Sequence, residues 1–283
     1  VPDVGPTAVL PRRPLTVGEL LDSAVLLLRG QARLLLPLAL PLALGEQALL
    51  HPLRVLAGTR PPTWLVPLHE PAAWWLLLAV GAGAEAAIVA LLGNPAARAA
   101  GAALLGRQAG VRELLHPAGA RFTATVVAAV LVGAAVLFGA LCGPVWFLTV
   151  GLLGAVVPVL VVDRLPGSRV PGRALGLAVR AGGRAAGVRL LGHLGWWLLR
   201  VGVALGLCYG LAALGLLDLA EPVAALVVAT VGWAGVNTVA YPALACLDAV
   251  LHLETRMRTE GLDIRLSRAR PGSPEPALLA VPR

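Results

Sequence analysis

Lysine is absent from the 283 residues, so all 23 basic side chains are arginine. Charged residues of both signs make up only 13% of the chain and aromatic ones 4%, against 58% hydrophobic. A soluble domain carries about a quarter charged residues, so the deficit excludes an ordinary water-soluble fold. Cysteine is scarce as well. Cys142, Cys208 and Cys246 lie inside apolar runs without a Cys-x-x-Cys pair, which excludes a disulfide framework and a zinc site. The few serines (Ser23, Ser168, Ser267 and Ser273) have no evident base, and no His/Asp/Glu cluster has metal-ligand spacing. The sequence therefore offers no catalytic constellation, no metal site and no cofactor, and the expectation is a non-enzyme. No cleavable signal peptide is legible before Leu15, where prolines and Arg12-Arg13 replace the short apolar core such a leader needs.

What is present is enough grease to fill a bilayer. A hydrocarbon core of about 30 Å takes roughly 20 helical residues. No charged residue occurs between Arg121 and Asp163, a stretch twice that length, and Cys142-Gly143-Pro144 breaks it in the middle. It reads as two spans joined by a tight turn. Further apolar runs give six expected spans, at about residues 34–56, 72–92, 122–142, 144–162, 191–217 and 222–247. The expected fold class is all-α, a polytopic helical bundle with amphipathic cytoplasmic helices. An N-terminal tail covers residues 1–15, the membrane domain 16–266 and a disordered tail 267–283.

Six crossings put both termini on one side, together with the segments 93–121 and 163–189. Those four regions hold 4, 4, 6 and 6 arginines in chain order, 20 of the 23. Positive charge collects in cytoplasmic loops, so both termini are expected in the cytoplasm. The arginine-only composition and the abundance of Ala, Gly, Leu and Val point to a bacterial plasma membrane. The net charge of +8 follows the membrane frame and lacks interleaved aromatics, so it is not a nucleic-acid signature.

The segments between spans are patterned too. Thr16 and Glu19 form a capping box, and Leu20, Leu21, Ala24, Leu27 and Leu28 give an apolar face, which predicts a helix lying along the membrane before the first span. Asn94 reads as an N-cap and Pro95 as the start of a short helix reaching about Leu115. Arg173, Arg180 and Arg184, at spacings of seven and four, fall on one helical face suited to anionic lipid headgroups. The last span is expected to run on as a helix, with Glu254 and Arg258 at i,i+4, until Gly261.

Ionisable residues inside hydrocarbon cost about 2.5 to 3.5 kcal/mol each on insertion scales and usually face a bundle interior. Three stand in the expected spans: Glu46, Glu85 and Arg200. From the cytoplasmic ends, Glu85 lies about 10 Å deep and Arg200 about 5 to 15 Å deep, so the two are expected to pair or share a polar cavity. The other reading of Arg200 has it snorkelling to the headgroups beside Trp196 and Trp197. Glu46, with Gln47 and His51 on neighbouring turns, reads either as part of a substrate or proton path or as a neutral acid satisfied by a neighbouring helix. Asn237, Thr238 and Tyr241 form a polar patch next to Pro242 in the last span, suited to interhelical hydrogen bonds. Gly202, Gly206 and Gly210 repeat at four-residue spacing, which fits packing within the bundle or a homo-oligomer seam.

Two nucleotide-like patterns fail on chemistry. Gly81, Gly83 and Ala86 match Gly-x-Gly-x-x-Ala but sit in a span with no strand before them. Gly101 to Gly106 has P-loop glycine spacing, yet Arg107 and Gln108 replace the lysine and hydroxyl that phosphate and magnesium need.

Three blocks carry a family resemblance. They are Arg13-Pro14-Leu15-Thr16-Val17-Gly18-Glu19-Leu20-Leu21-Asp22 with Leu27-Leu28-Arg29, then Val161-Val162-Asp163 with Arg173-Ala174-Leu175 to Arg189, and Arg256-Met257-Arg258-Thr259-Glu260-Gly261-Leu262-Asp263. From about Arg13 to Leu266 the chain resembles uncharacterised bacterial integral membrane proteins related to the membrane domain of glycerophosphoryl diester phosphodiesterases. That resemblance implies six spans. It implies no phosphodiesterase activity, because the family's catalytic barrel is a separate soluble domain.

The function expected from the sequence is that of a scaffold or accessory component of a membrane assembly. Its partners would be anionic lipids at the cytoplasmic face and membrane proteins or further copies of itself. The alternative is a small-solute or lipid transporter, which needs a polar intramembrane site reaching Glu46 and Glu85.

Overall fold

The computed structural model describes residues 10–62, 64, 71–117, 119–269 and 278–281, and among these residues there is no strand. Helix α1 (Val17–Leu56) is followed by α2 (Pro71–Leu104), the short α3 (Val111–Leu115) and α4 (Phe122–Leu141). Next come α5 (Val145–Leu153), α6 (Val156–Val162), α7 (Val170–Arg180), α8 (Arg184–Ala213), α9 (Pro222–Glu260) and α10 (Leu262–Ser267). Among the described residues six segments are long and apolar enough to cross a membrane: α1, α2, α4, α5 with α6, α8 and α9. The protein is an all-α, multi-pass helical bundle. At about 1.5 Å per residue α4 spans about 30 Å, whereas α2 and α9 reach about 50 and 58 Å and project beyond the hydrocarbon.

Helix α9 is the central mast, packed against α1, α2 and α8, while α2 also carries α4 and α6. Small residues allow this closeness. Ala96, Ala97 and Ala100 of α2 share one buried core with Ala240, Ala245 and Ala249 of α9. Where α2 crosses α4, a Cβ on Gly83 would lie 2.8 Å from Leu137 Cβ, and one on Gly133 would lie 2.8 Å from the Gly83 carbonyl oxygen. Gly83, part of a spurious nucleotide motif, is thus a helix-crossing residue. The expected turn between the third and fourth crossings is present at Cys142–Pro144, with Gly143 at φ 68°. The fourth crossing is itself broken between Leu153 and Val156. Pro158 explains the break: it has no N–H for the Gly154 carbonyl and its ring crowds that oxygen.

The structure corrects four local expectations. The capping box is formed, with Thr16 Oγ1 accepting from Glu19 N and Glu19 accepting from Thr16 N. The helix it opens does not lie apart along the membrane; α1 runs unbroken for 40 residues, because the buried stripe of Leu20, Ala24, Leu27 and Leu28 continues through Gln31, Leu34 and Leu35 onto the core. Asn94-Pro95 does not start a helix either. It lies within α2, where Asn94 Nδ2 reaches the Ala120 carbonyl and Thr125 Oγ1, both at 2.6 Å. Arg173, Arg180 and Arg184 do not share one helix, since Gly182 and Gly183 take left-handed φ values of 59° and 77° and separate α7 from α8. Finally, the tail expected to be disordered has an ordered part. Residues 278–281 fold back, the Leu279 and Ala280 carbonyls accepting from Arg256 and Arg265 at 2.6 and 3.0 Å. Residues 270–277 and 282–283 lie outside the described residues.

As expected, α9 continues to Glu260 and ends on left-handed Gly261, φ 60°. The carbonyl of Leu15 accepts from Arg184 at 2.9 Å and from Arg258 at 2.6 Å, so the start of α1 and the end of α9 meet at one end of the bundle, the arginine-rich end.

Candidate functional site

Helix α9 carries a polar stripe along its length. Asn237 and Tyr241, then Asp248, His252, Arg256 and Glu260, follow steps of four with one step of seven, which keeps them on one helical face. The bundle folds around this stripe and meets it with charged groups from α1, α2, α7 and α8.

Nearest the arginine-poor end, Glu46 of α1 is buried against α9. Its Oε2 accepts from Tyr241 OH at 2.5 Å and from Asn237 Nδ2 at 2.9 Å, and Asn237 also donates to Tyr241 OH at 2.7 Å. The contact extends along α1, where Arg54 donates to Gln47 at 2.8 Å and lies 4.3 Å over the Trp64 ring. Asn237 Oδ1 is buried without a partner. His51 does not join; it is exposed on the other face of α1. Thr238 turns back to the Ala234 carbonyl of its own helix at 2.8 Å.

One layer deeper, Glu85 and Arg200 form a two-pronged ion pair at 2.7 and 3.0 Å between α2 and α8. The Arg200 guanidinium also lies 5.7 Å from the centre of the Tyr241 ring, which links this pair to the Glu46 layer. His193 Nε2 stands 3.9 Å from Glu85. Arg200 is thus turned inward, and the expected association of Glu85 with Arg200 is present in the geometry.

A third pair, Arg189 with Asp248, is one that sequence reasoning does not single out. Arg189 donates to Asp248 and to the Gly151 carbonyl, an acceptor next to the break between α5 and α6. The signal for it was present: Arg189, His193 and Arg200 share a face of α8 as Asp248 and Tyr241 share a face of α9. A narrow crevice lined by Gly93, Val136, Gly154, His193 and Asp248 opens beside it.

The arginine-rich end closes with a denser cluster. Asp163, fully buried, accepts from Arg173 at 3.0 Å, from Arg256 at 2.9 Å and pairs with His252 at 3.0 Å. Burial pushes the Asp163 carboxyl up, but His252, Arg256 and Arg173 overcome it and hold it at about 2. Glu260 is raised by burial and lowered further by Arg173 and Arg256, ending below its ordinary value. Of the three arginines expected to face headgroups, Arg173 and Arg184 are spent on acids within the chain, Glu260 with Asp163 and Glu254 respectively. Arg180 is exposed, 3.5 Å from Glu260.

Gly202, Gly206 and Gly210 point outward, and a Cβ on any of them would meet no atom within 4 Å. The expected packing within the bundle is therefore not what these glycines serve. Among the described residues no group of three or more His, Cys, Asp or Glu side chains is arranged to hold a metal ion. Comparison with protein-family models, with curated proteins and with solved structures finds no match. The family resemblance therefore rests on the three sequence blocks alone.

Proposed function

We propose that the protein is a multi-pass scaffold or accessory component of a membrane assembly, without catalytic activity, inserted in a bacterial plasma membrane with both termini cytoplasmic. One observation carries the reading: two pairs of charges inside the bundle, Glu85 with Arg200 and Arg189 with Asp248, are closed on one another at helix contacts. Buried pairs of this kind fix which helices meet and in which register, which is what a rigid platform needs. At the arginine-rich end Asp163, Arg173, Arg256 and Glu260 are paired beneath the surface, and exposed side chains such as Arg164 are what that end offers to partners and to anionic lipid headgroups.

A second reading, a carrier for a small solute or lipid, draws on the link between Glu46 and Glu85 through Tyr241 and Arg200. Flux into proteoliposomes separates the two. A scaffold gives no solute uptake above protein-free vesicles, in the natural chain or in Glu46→Gln and Glu85→Gln, and migrates with other proteins when native membranes are solubilised mildly. Uptake present in the natural chain and lost in both variants overturns the scaffold reading.

A further inference from the structure

Arg173, Arg184 and Arg256 at the arginine-rich end are paired with acids, whereas one cleft there has a surplus of arginine among the described residues. It lies between the end of α2, the connection to α3 and the loop after α6, and its volume is about 160 Å³, the space of about five water molecules. Among the described residues three guanidiniums line it, Arg98, Arg107 and Arg164, against one carboxylate, Glu113. They come from three different elements. The fold therefore assembles them; they are not one helix's solvated face.

Each has a distinct situation. Arg107 grips Glu113 with two hydrogen bonds of 2.8 and 2.9 Å, so the single acid is already engaged. Arg98 is oriented by the Leu114 and Glu113 carbonyls at 2.7 and 2.9 Å, contacts that aim a guanidinium without neutralising it. Arg164 is exposed and sits on a left-handed backbone, φ 56°, directly after Asp163. Asp163 cannot balance it, because that carboxylate faces Arg173, His252 and Arg256. Burial and the charge of Arg164 both disfavour protonated Arg98, with Glu113 pulling the other way. Counted over its described lining residues, the cleft holds two positive charges more than negative ones, converging from different sides.

The floor differs from the mouth. Ala97, Gly101, Val161 and Val162 make it apolar, at the ends of the crossings α2 and α6. Leu279 of the folded-back tail forms a wall, so close that a Cβ on Gly101 would lie 2.8 Å from its Cδ1. A cationic mouth over an apolar floor, at the depth where a crossing leaves the hydrocarbon, matches a phosphate attached to a glycerol backbone.

We propose that the cleft of Arg98, Arg107 and Arg164 binds a phosphate group, supplied by the headgroup of an anionic phospholipid in the leaflet at the arginine-rich end. The proposal rests on the lipid-binding part of the function proposed above and gives it a specific site. A free phosphate ion shares the chemistry, and the test separates the two sources.

The full chain is reconstituted in phosphatidylcholine nanodiscs with and without phosphatidic acid, and lipid retained after re-extraction into detergent is counted by native mass spectrometry. The natural chain is expected to retain one phosphatidic acid in preference to phosphatidylcholine. Arg164→Gln and Arg98→Gln should each weaken retention about fivefold, the share of one arginine near a charged surface. Arg169→Gln, an exposed arginine of the same end outside the cleft, should leave it unchanged. Among the described residues Arg164 makes no hydrogen bond that its loss would break in the core, so a folded, monodisperse R164Q that retains lipid normally overturns the site. Equal losses in R164Q and R169Q also overturn it, since they mean diffuse surface charge. Release of the lipid by inorganic phosphate alone overturns the lipid as source. Co-migration with membrane partners is scored on the same R164Q protein. Partners kept while lipid is lost refutes neither site nor scaffold, and partners missing from the natural chain while lipid is retained removes the scaffold and leaves the site.

Discussion

Arg189 of α8 and Asp248 of α9 form an ion pair whose guanidinium also takes the carbonyl of Gly151, so a single pair ties α5, α8 and α9 together where the fourth crossing is interrupted. Pro158 frees backbone acceptors in that crossing, and in hydrocarbon each must find an internal donor. Gly154 makes room for the arrangement; a Cβ there would approach Asp248 Oδ1 to 2.6 Å and press on Arg189 as well.

The pair is only 3% and 7% exposed, so breaking it from one side strands a charge. Asp248→Leu or Arg189→Leu should each destabilise the bundle by about 3 to 5 kcal/mol, and the double change to Leu at both positions should cost less than the two singles added together. Thermal unfolding in detergent measures all three. Strict additivity would show that the two side chains do not act as a unit.

Glu46 makes a finer test, because its contacts are with neutral donors. Glu46→Gln keeps an oxygen for Tyr241 and Asn237 and should shift stability by less than about 1 kcal/mol, the net worth of an ordinary hydrogen bond. Glu46→Leu leaves the Tyr241 hydroxyl buried without an acceptor, while Asn237 keeps Tyr241 as a partner, and should cost about 1 to 3 kcal/mol, the penalty of one stranded group. Urea or thermal titration of the two variants side by side decides it; a leucine variant as stable as the glutamine one contradicts the network.

The crossings were legible because hydrocarbon demands long apolar helices, and composition alone reports them. The association of Glu85 with Arg200 was legible for a related reason: two ionisable residues at similar depth have few other partners. Arg189 and Asp248 were hidden at apparent span ends, since sequence depth is uncertain by a turn and α8 begins at Arg184, before the apolar run does. The Asn94-Pro95 signal misled because capping residues describe local backbone preference. The buried alanines that follow, from Ala96 to Ala100, hold α2 helical by packing instead. Arg173 and Arg184 misled by exposure: spacing showed a shared face but not the acids of α9 opposite it.

Glycines of similar spacing should behave oppositely. Gly83→Leu puts a side chain where Gly133 and Leu137 already stand and should separate α2 from α4, with a loss of at least about 1 to 3 kcal/mol from overpacking. Gly206→Ala meets open space and should leave stability unchanged or raise it by about 0.5 to 1 kcal/mol through helix propensity. If the outward row of Gly202, Gly206 and Gly210 seats a second copy, Gly206→Cys cross-links to itself in native membranes and Gly206→Leu abolishes the dimer seen after mild solubilisation. No cross-link at Gly202, Gly206 or Gly210 means that lipid covers the row.

Acid should loosen the arginine-rich end first. Asp163 titrates at about 2 in the folded chain against an ordinary 3.8, so folding favours its charged form. A depressed carboxyl contributes stability that is present in full above its unfolded value and disappears as pH falls through the folded one. The window therefore runs from about pH 4 down to about pH 2, and the amount at stake is about 2 kcal/mol. Glu260, also lowered by Arg173 and Arg256, acts in the same direction. Asp163→Asn removes the titrating group and leaves Arg173 and Arg256 with one acid fewer, so the variant should be less stable at pH 7 and show a shallower loss between pH 4 and 2. Proteolysis of the tail reports the same event locally, since Val281 N donates to the Asp163 carbonyl at 3.4 Å and Arg256 holds both the carboxylate and the Leu279 carbonyl. Cleavage near residues 278–281 should accelerate on acidification in the natural chain and be fast at every pH in the variant; a variant whose tail resists protease as the natural chain does at neutral pH separates the latch from Asp163.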